Sequence, residues 1–336
     1  MSGATVSGSA LRGWRSYLIE AGHESAAIAC AQPDPDEVGA ARSRIPLREF
    51  VSFSENIVRE TRDVSIPWMV GTRYDLGSLE DVGTAIRACS TVGSAIKRMV
   101  AFYELLQDYT DIRMECDGEY ASVSYRILDP DIWPRHQDAM FSLGIVAQIL
   151  RKGSEEAWDH TEFWFETPSS ELVAPMSRAI DAPCHFEADT NTMRFPVRFL
   201  DQAISFPQAS APIDRLNASL VRKNRDTPLC ERLARVVLRD LDRMAIDQQK
   251  IAREIGMSSR TMRRKLASDG LSFQQILDEC RMRQAVFEFR TKPTLPIAEI
   301  ALRLGYSEHS TFTRAFHRWF DESPQAFRNR LATRVN

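Results

Sequence analysis

The last third of this 336-residue chain contains a repeat, which limits what the segment can fold into more than any other feature. In the first copy Ile251-Ala252-Arg253-Glu254-Ile255-Gly256-Met257-Ser258 leads into SRTMRRKL. In the second, Ile300-Ala301-Leu302-Arg303-Leu304-Gly305-Tyr306-Ser307 leads into EHSTFTRAF. Ile251 and Ile300, Gly256 and Gly305, and Ser258 and Ser307 are each 49 residues apart. Met262 and Phe312, Arg264 and Arg314, and Leu266 and Phe316 are 50 apart, so the second copy has one more residue in its turn. Self-similarity at a fixed offset marks two copies of one supersecondary unit.

Each copy has the ingredients of a helix-turn-helix. The Ile-Ala pair and the following Ile or Leu supply the inward face of a first helix. The glycine permits the left-handed backbone that reverses the chain, and the serine two residues on is placed to cap the next helix. Met262 and Leu266, or Phe312 and Phe316, lie at i and i+4 and form the inner face of that second helix. Its outer face is left to Arg260, Arg263 and Arg264 in the first unit and to His309, Thr313 and Arg314 in the second. An arginine in the opening turns of a helix can pair bidentately with guanine in a major groove, so these six side chains are assigned to base contact. Ser272 and Ser323 open the helices that follow the two units, where free amides and the helix dipole favour a phosphate. Ser259 and Thr311 join them as expected phosphate contacts. A single such turn is often plain packing, and a serine at a helix start is often only a cap. Two copies in register, both with outward arginines, favour DNA. The joining helix, about Phe273 to Thr291, spans ~28 Å at 1.5 Å per residue. That is near the ~34 Å repeat of DNA, so one chain could address two successive major grooves.

Charge follows the same division. From Asp226 to Asn336 there are 20 Lys and Arg against 14 Asp and Glu, a balance of +6, while the remainder carries 23 against 32. A basic segment joined to an acidic one points to a polyanion as partner of the basic part alone. The composition, 43% hydrophobic and 26% charged, is that of a soluble folded protein. No apolar run approaches the ~18 residues of a membrane span, and MSGATVSGSALRGWRSYL lacks the apolar block and cleavage site of a secretory signal. Six cysteines lie far apart with no CxxC pair, which argues against a zinc site or a disulfide framework and fits a reducing cytoplasm. There is no HExxH, GxSxG or P-loop, so neither a catalytic set nor a cofactor nor a metal is expected.

The first 206 residues read as α+β. Helices are expected over Ser9–Gly22 and Leu47–Asp63, and as a pair from Leu79 to Gln107 broken at Ser90-Thr91. Arg113 to Leu128 alternates around Asp117-Gly118, as a hairpin does. A helix follows Pro134 through Leu150, a strand covers His160–Glu166, a helix Ser170–Ile180, and His185–Val197 returns to strand. The expectation is helices around a modest, mostly antiparallel sheet. Residues 207–228 are polar, with proline at both ends and a short helical pattern inside, and read as a linker. Thr227 with Pro228 is placed to start a helix as cap and first position. From there to residue 336 every segment reads as helix: 229–244, 248–255, 259–268, 273–291, 297–304, 309–320 and 324–331. The fold class is therefore two domains, an α+β domain over 1–206 and an all-α domain over 229–336 with helix-turn-helix units at 248–268 and 297–320.

Gly305-Tyr306-Ser307-Glu308, Ser310, Phe312, Arg314 and Phe316, followed by Ser323-Pro324 and Phe327-Arg328, resemble the signature of the AraC/XylS transcription regulators. Gly256-Met257-Ser258, Arg260-Thr261-Met262, Arg264 and Leu266 are similar to the family's other half. Two positions depart from the pattern: Asp321 stands where a glycine is usual, and His317 where a lysine or arginine is. Leu18-Ile19-Glu20-Ala21-Gly22, Ile45-Pro46-Leu47, Asp75-Leu76-Gly77, Ala182-Pro183-Cys184-His185-Phe186 and Phe206-Pro207 resemble the subgroup with an arabinose-binding-like regulatory domain. The resemblance implies a ligand-responsive regulator of a catabolic or stress operon, an activator, whose partners are double-stranded promoter DNA, a small-molecule effector, RNA polymerase and, as a homodimer, a second copy. Trp68, Tyr103, Trp133, Phe163 and Trp164 could line an effector pocket, but large aromatics are more often core, and no effector residue is assigned. Pro183-Cys184-His185 also resembles the centre of the alkyl-acceptor DNA repair proteins, in which a thiolate takes up the alkyl group. Phe186, in place of that motif's arginine, weighs against this alternative.

Overall fold

Alternating burial builds the sheet of the N-terminal unit and leaves its helices to cover one face. The computed structural model describes residues 3–29, 44–168, 173–206, 210–241 and 246–335. These form two units, one of residues 3–127 and 132–222, the other of 128–131 and 223–335. The first runs β1 (Thr5–Ser7), α1 (Ala10–Glu20), α2 (Glu24–Ala29), β2 (Arg44–Pro46), α3 (Leu47–Thr61), α4 (Ile66–Thr72), α5 (Glu80–Arg87) and α6 (Val92–Leu106). It continues through β3 (Thr110–Cys116), β4 (Tyr120–Ile127), α7 (His136–Gly153), β5 (Glu162–Trp164), α8 (Val173–Ile180), β6 (Cys184–His185), β7 (Asn191–Pro196) and α9 (Ile213–Asp226).

The main sheet has the order β3-β4-β7-β5-β6 and is antiparallel except where β5 runs parallel to β6. Ala121, Val123, Tyr125 and Ile127 of β4 and Met193 and Phe195 of β7 point inward, toward α6 and α7. The turn at Asp117-Gly118 forms because Asp117 Oδ1 accepts from the amides of Glu119 and Tyr120 at 3.2 and 2.8 Å. The break at Ser90-Thr91 is a capping box: Thr91 Oγ1 accepts from the Ser94 amide, and Ser94 Oγ from that of Thr91. The strand expected over His160–Glu166 is shorter, because Glu156–His160 closes into a 3₁₀ turn before it. Helix α2 has no counterpart in the sequence reading, and two further features have none. One is the small sheet in which β1 pairs with β2. The other is α4, whose Gly71 lies so close to α7 that a Cβ there would sit 2.3 Å from the Phe141 carbonyl oxygen. Residues 207–209 and the start of the helix expected at Ser170 lie outside the described residues. The helical pattern inside 207–228 is α9, and Thr227 is not a cap: its hydroxyl donates to Lys223 O at 2.7 Å, closing α9, while Pro228 is the N-cap of the next helix.

Trp68, Tyr103 and Phe163 pack as core, whereas Trp133 and Trp164 are half-buried. Trp68 is 2% exposed and meets Phe163 edge-on at 5.4 Å, and Tyr103 donates to or accepts from Ser142 at 3.2 Å. Trp133 faces His136, and Trp164 stacks on His185 at 4.8 Å. A polar cluster is nonetheless buried where α7 begins. Arg135 grips Glu166 through two 2.9 Å bonds and donates to Ile127 O at 2.6 Å. The Tyr125 hydroxyl donates to the Asp138 carboxylate and accepts from Gln107 Nε2 at 2.7 Å. Asp138 is wholly buried, and desolvation pushes its carboxyl up to about 7, with nearby Glu55 adding to the rise and Tyr125 and Arg135 opposing it.

The second unit is all helix: α10 (Leu229–Asp240), α11 (Gln248–Glu254), α12 (Ser259–Ser268), α13 (Phe273–Thr291), α14 (Ile297–Arg303), α15 (His309–Phe320) and α16 (Pro324–Val335). Phe273, Ile276, Leu277 and Cys280 form one buried stripe of α13, whereas Ala285 and Phe289 lie on roughly the opposite side at about 100° per residue. The first stripe belongs to the half of α13 that meets α10, where Cys280 Sγ donates to Ala234 O at 3.8 Å. Ala285 and Phe289 join a core with Ile300, Leu304, Phe312, Phe316 and Phe327. Among the described residues no helix is long and apolar enough to cross a membrane.

The Asp138 carboxyl makes stability depend on pH with a definite sign. Below the unfolded value of 3.8 it is protonated in both states and carries no penalty. As pH rises toward 7 the unfolded chain releases the proton while the folded chain holds it, so stability falls, and it levels above 7. Asp138→Asn is expected to be more stable than wild type above pH 7, with the difference growing between pH 4 and 7 as the Asp138 proton is lost, while the opposite contribution of buried His136 is common to both proteins. Urea unfolding across that range, wild type against variant, checks it.

Candidate nucleic-acid interface

The two repeat units fold alike at their turns. At the end of α11 the Gly256 amide donates to Arg253 O at 3.0 Å and the Met257 amide to Ala252 O at 2.9 Å. At the end of α14, Gly305 donates to Leu302 O at 2.9 Å and Tyr306 to Ala301 O at 3.0 Å. This is the same pair of reverse bonds, a Schellman motif, in both. It requires a left-handed residue, and Gly256 and Gly305 have φ of 78° and 73°. Ile251, Ala252, Ile300 and Ala301 are buried on the first helices, and Met262, Leu266, Phe312 and Phe316 are fully buried on the second.

The units differ where the extra residue falls. Ser258 is the N-cap of α12, and its Oγ accepts from the Thr261 amide at 3.1 Å. Ser307 is not the cap of α15, contrary to the sequence expectation. The inserted residue moves the helix start on by one, Glu308 becomes the N-cap, and it makes no side-chain capping bond. Asp321, in place of the usual glycine, takes φ 55° and ψ 21° and keeps the left-handed turn into α16, a conformation aspartate tolerates better than most residues.

The second helices leave their cations outward. Arg260, Arg263, Arg264 and Lys265 are all exposed on α12, and His309, Arg314, His317 and Arg318 on α15. Neither helix contains an acidic residue. Among the described residues Arg260 and Arg264 make no hydrogen bond or ion pair within the chain. Arg263 Nε reaches only its own helix at Ser259 O, 3.4 Å away. Arg314 Nη2 touches Thr311 Oγ1 at 3.3 Å, and half-buried Thr313 donates back to His309 O at 3.0 Å. Of the residues expected at phosphates, Ser259 is half-buried in the first turn of α12 and Thr311 is exposed. Ser323 Oγ accepts from the Ala326 amide at 3.2 Å, leaving its proton to donate outward. Ser272 is different. Its amide and hydroxyl both donate to Gln275 Oε1, at 2.7 and 2.8 Å, in a full capping box. A phosphate would have to displace Gln275. Lys265 and Arg318, exposed on the same helices, were not singled out from the sequence, and His317 was noted there only as a departure from the family pattern. Arg318 lies one turn beyond Arg314 on the same stripe and its Nη2 pairs with Asp278 at 3.2 Å, whereas Lys265 directly follows Arg264 and lies about 100° round the helix, off the stripe of Arg260 and Arg264.

Cys184 lacks the surroundings that activate a thiolate. It is half-buried, desolvation pushes its thiol up to about 11, and Sγ donates to Ala182 O at 3.3 Å. His185 pairs with Glu162 at 3.5 Å and stacks on Trp164, instead of serving the thiol. Among the described residues no group of three or more His, Cys, Asp or Glu is placed to hold a metal ion.

Tandem helix-turn-helix units with acid-free, cation-bearing second helices define a DNA-binding transcription regulator. The chain belongs to the AraC family: the model of the arabinose-binding domain of AraC transcription regulators matches residues 23–204, and a helix-turn-helix domain model matches 251–330. It is 26% identical over 311 residues to an uncharacterised HTH-type transcriptional regulator of Mycobacterium bovis, covering 88% of this chain and 86% of that one. It is 23% identical over 304 residues to the ornithine utilization regulator of Pseudomonas aeruginosa, covering 89% and 88%. With the HTH-type transcriptional regulator VirS of Mycobacterium tuberculosis it shares 34% identity over 211 residues, 61% of this chain and 60% of that one. Among solved structures, the transcriptional regulator CdpR of Pseudomonas aeruginosa aligns over 95% of this chain and 97% of that chain, with a TM-score of 0.40 and 20% identity.

The difference in capping yields a test. Ser258→Ala is expected to cost about 1 kcal/mol of stability, and Ser307→Ala close to nothing, in thermal unfolding of the two variants beside wild type.

Proposed function

We propose that the chain is a ligand-responsive regulator that reads two successive major grooves with α12 and α15. The observation that carries this reading is the pair of matching turns, each of which delivers an exposed helix without acidic residues. Arg260, Arg263 and Arg264, with His309, Thr313 and Arg314, contact base edges, and Ser259, Thr311 and Ser323 hold phosphates, joined by Ser272 if Gln275 gives way. The effector is sensed by residues 1–206, relayed through 207–228, and answered by the DNA-binding residues 229–336. Effector and operator affinity are then linked, and the linkage is reciprocal.

The chain acts in the cytoplasm as an activator of a catabolic or stress operon, engages RNA polymerase, and forms a homodimer. The catabolic reading is supported by the relative named for ornithine utilization. The mechanism on DNA is direct. Arginine forks give two parallel bonds to a guanine edge, and counterion release adds a salt-dependent, sequence-independent term.

Arg264→Ala and Arg314→Ala are each expected to weaken binding by about 1–3 kcal/mol at a duplex selected by the wild-type chain from a random pool. Specificity is expected to relax at base pairs about one helical turn apart. Binding of single-base operator variants by each protein checks this, and losses at the same base pairs contradict the two-groove reading.

A further inference from the structure

We infer that Arg232 and Arg281 are equivalent positioning residues, each clamping the carbonyl end of one helix-turn-helix so that its recognition helix is held at a fixed angle. The inference rests on the two-groove reading and assigns side chains outside the recognition helices to it. Arg232 lies on α10 and Arg281 on α13, 49 residues apart, the same offset that relates Ile251 to Ile300 and Gly256 to Gly305. The repeat therefore begins one helix earlier than the helix-turn-helix itself.

The contacts repeat as well. Arg232 Nη2 donates to Ile255 O at 2.9 Å. Arg281 Nε donates to Leu304 O at 2.9 Å, and its Nη2 to Gly305 O at 3.2 Å. Ile255 and Leu304 are the C-cap residues of α11 and α14. The last carbonyls of a helix lack intrahelical donors, and the Schellman bonds occupy those of Ala252, Arg253, Ala301 and Leu302. The C-cap carbonyls remain, and in each unit a guanidinium meets them where the helix dipole favours a cation. The turn is thereby tied to the preceding helix as well as to the two helices it joins.

The second clamp is the more constrained. Arg281 Cζ lies 4.4 Å from the centroid of the Tyr306 ring, whereas the position equivalent to Tyr306 in the first unit is Met257. Arg281 therefore uses two donors and its flat face, and lysine can reproduce neither the fork nor the stacking. Arg281 also sits one residue after Cys280, which packs into the first unit at Ala234. It joins the turn of the second unit to the helix that carries the core of the first.

The test uses the full-length chain and a duplex selected by wild type from a random pool, read by hydroxyl-radical footprinting with Arg264→Ala and Arg314→Ala as references for the two protected segments. Arg281→Ala is expected to weaken binding about tenfold and to lose protection only in the segment that Arg314→Ala loses. Arg232→Ala is expected to lose the segment that Arg264→Ala loses. Arg232→Lys restores most of the protection and Arg281→Lys little of it. If the alanine variants fail to fold, Arg232→Gln and Arg281→Lys carry the same segment-by-segment comparison. Wild-type footprints in Arg281→Lys, or equal loss of both segments in either clamp variant, would overturn the assignment. Reference variants that fail to separate the two segments would overturn the two-groove reading and this assignment together.

Discussion

Helix α13 has to bury Phe273, Ile276, Leu277 and Cys280 on one side and Ala285 and Phe289 on the other, and the DNA-binding unit depends on both demands being met by one rigid rod. A helix of 19 residues with a single apolar face would complete one helix-turn-helix and leave the other without a core. With opposed stripes it is shared: its first half closes against α10, and its second half supplies Phe289 to the aromatic cluster of Phe316 and Phe327, at centroid distances of 5.5 and 5.7 Å. The exposed arginines of α12 and the exposed cations of α15 are consequences of this packing, since the remaining faces of those helices are used by Met262, Leu266, Phe312 and Phe316.

The N-terminal unit obeys a different constraint. Its sheet is covered by helices on the face of Tyr125 and Phe195, and polar groups brought into that interior must find partners or alter their protonation. Arg135 finds two, Glu166 and the Ile127 carbonyl. Asp138 is served by the Tyr125 hydroxyl through one oxygen, while Oδ1 has no hydrogen-bond partner, and its carboxyl holds a proton to far higher pH than an exposed aspartate does. Neighbouring His136 is driven the other way, to about 4, because burial disfavours its cation. The cores of the two units thus differ in kind: one is a shared apolar rod, the other a sheet enclosing a polar cluster.

Much of this was legible in the sequence, and where it was not the reasons are physical. Helices α12, α13 and α15 begin and end where their periodicity says; Ser258 and Ser272 cap the first two, Gly270 follows the end of α12, and a left-handed Asp321 ends α15. The Asp117-Gly118 hairpin and the helix break at Ser90-Thr91 were equally plain, since both are local chemistry. The β1–β2 pairing was not, because three-residue strands separated by the whole of α1 and α2 leave no local pattern. Seven-residue α4 has only the proline in its first turn as a boundary signal, no capping side chain, and too few residues to show a period. Ser307 misled because a one-residue insertion preserves the letter while moving the helix start. The outward face of α12 could be read directly, but the bond of Arg281 to the Leu304 carbonyl could not, because it depends on how α13 is rotated about its axis.

A rod that carries both cores sets the spacing and the phase of the two recognition helices, and DNA can interrogate that phase. The most direct measurement is the affinity of the full-length chain for its selected duplex after insertion of about five base pairs, half a helical turn, between the two protected segments. A fixed phase predicts that affinity drops to the level left when one segment is scrambled. Affinity that survives the insertion unchanged would contradict it.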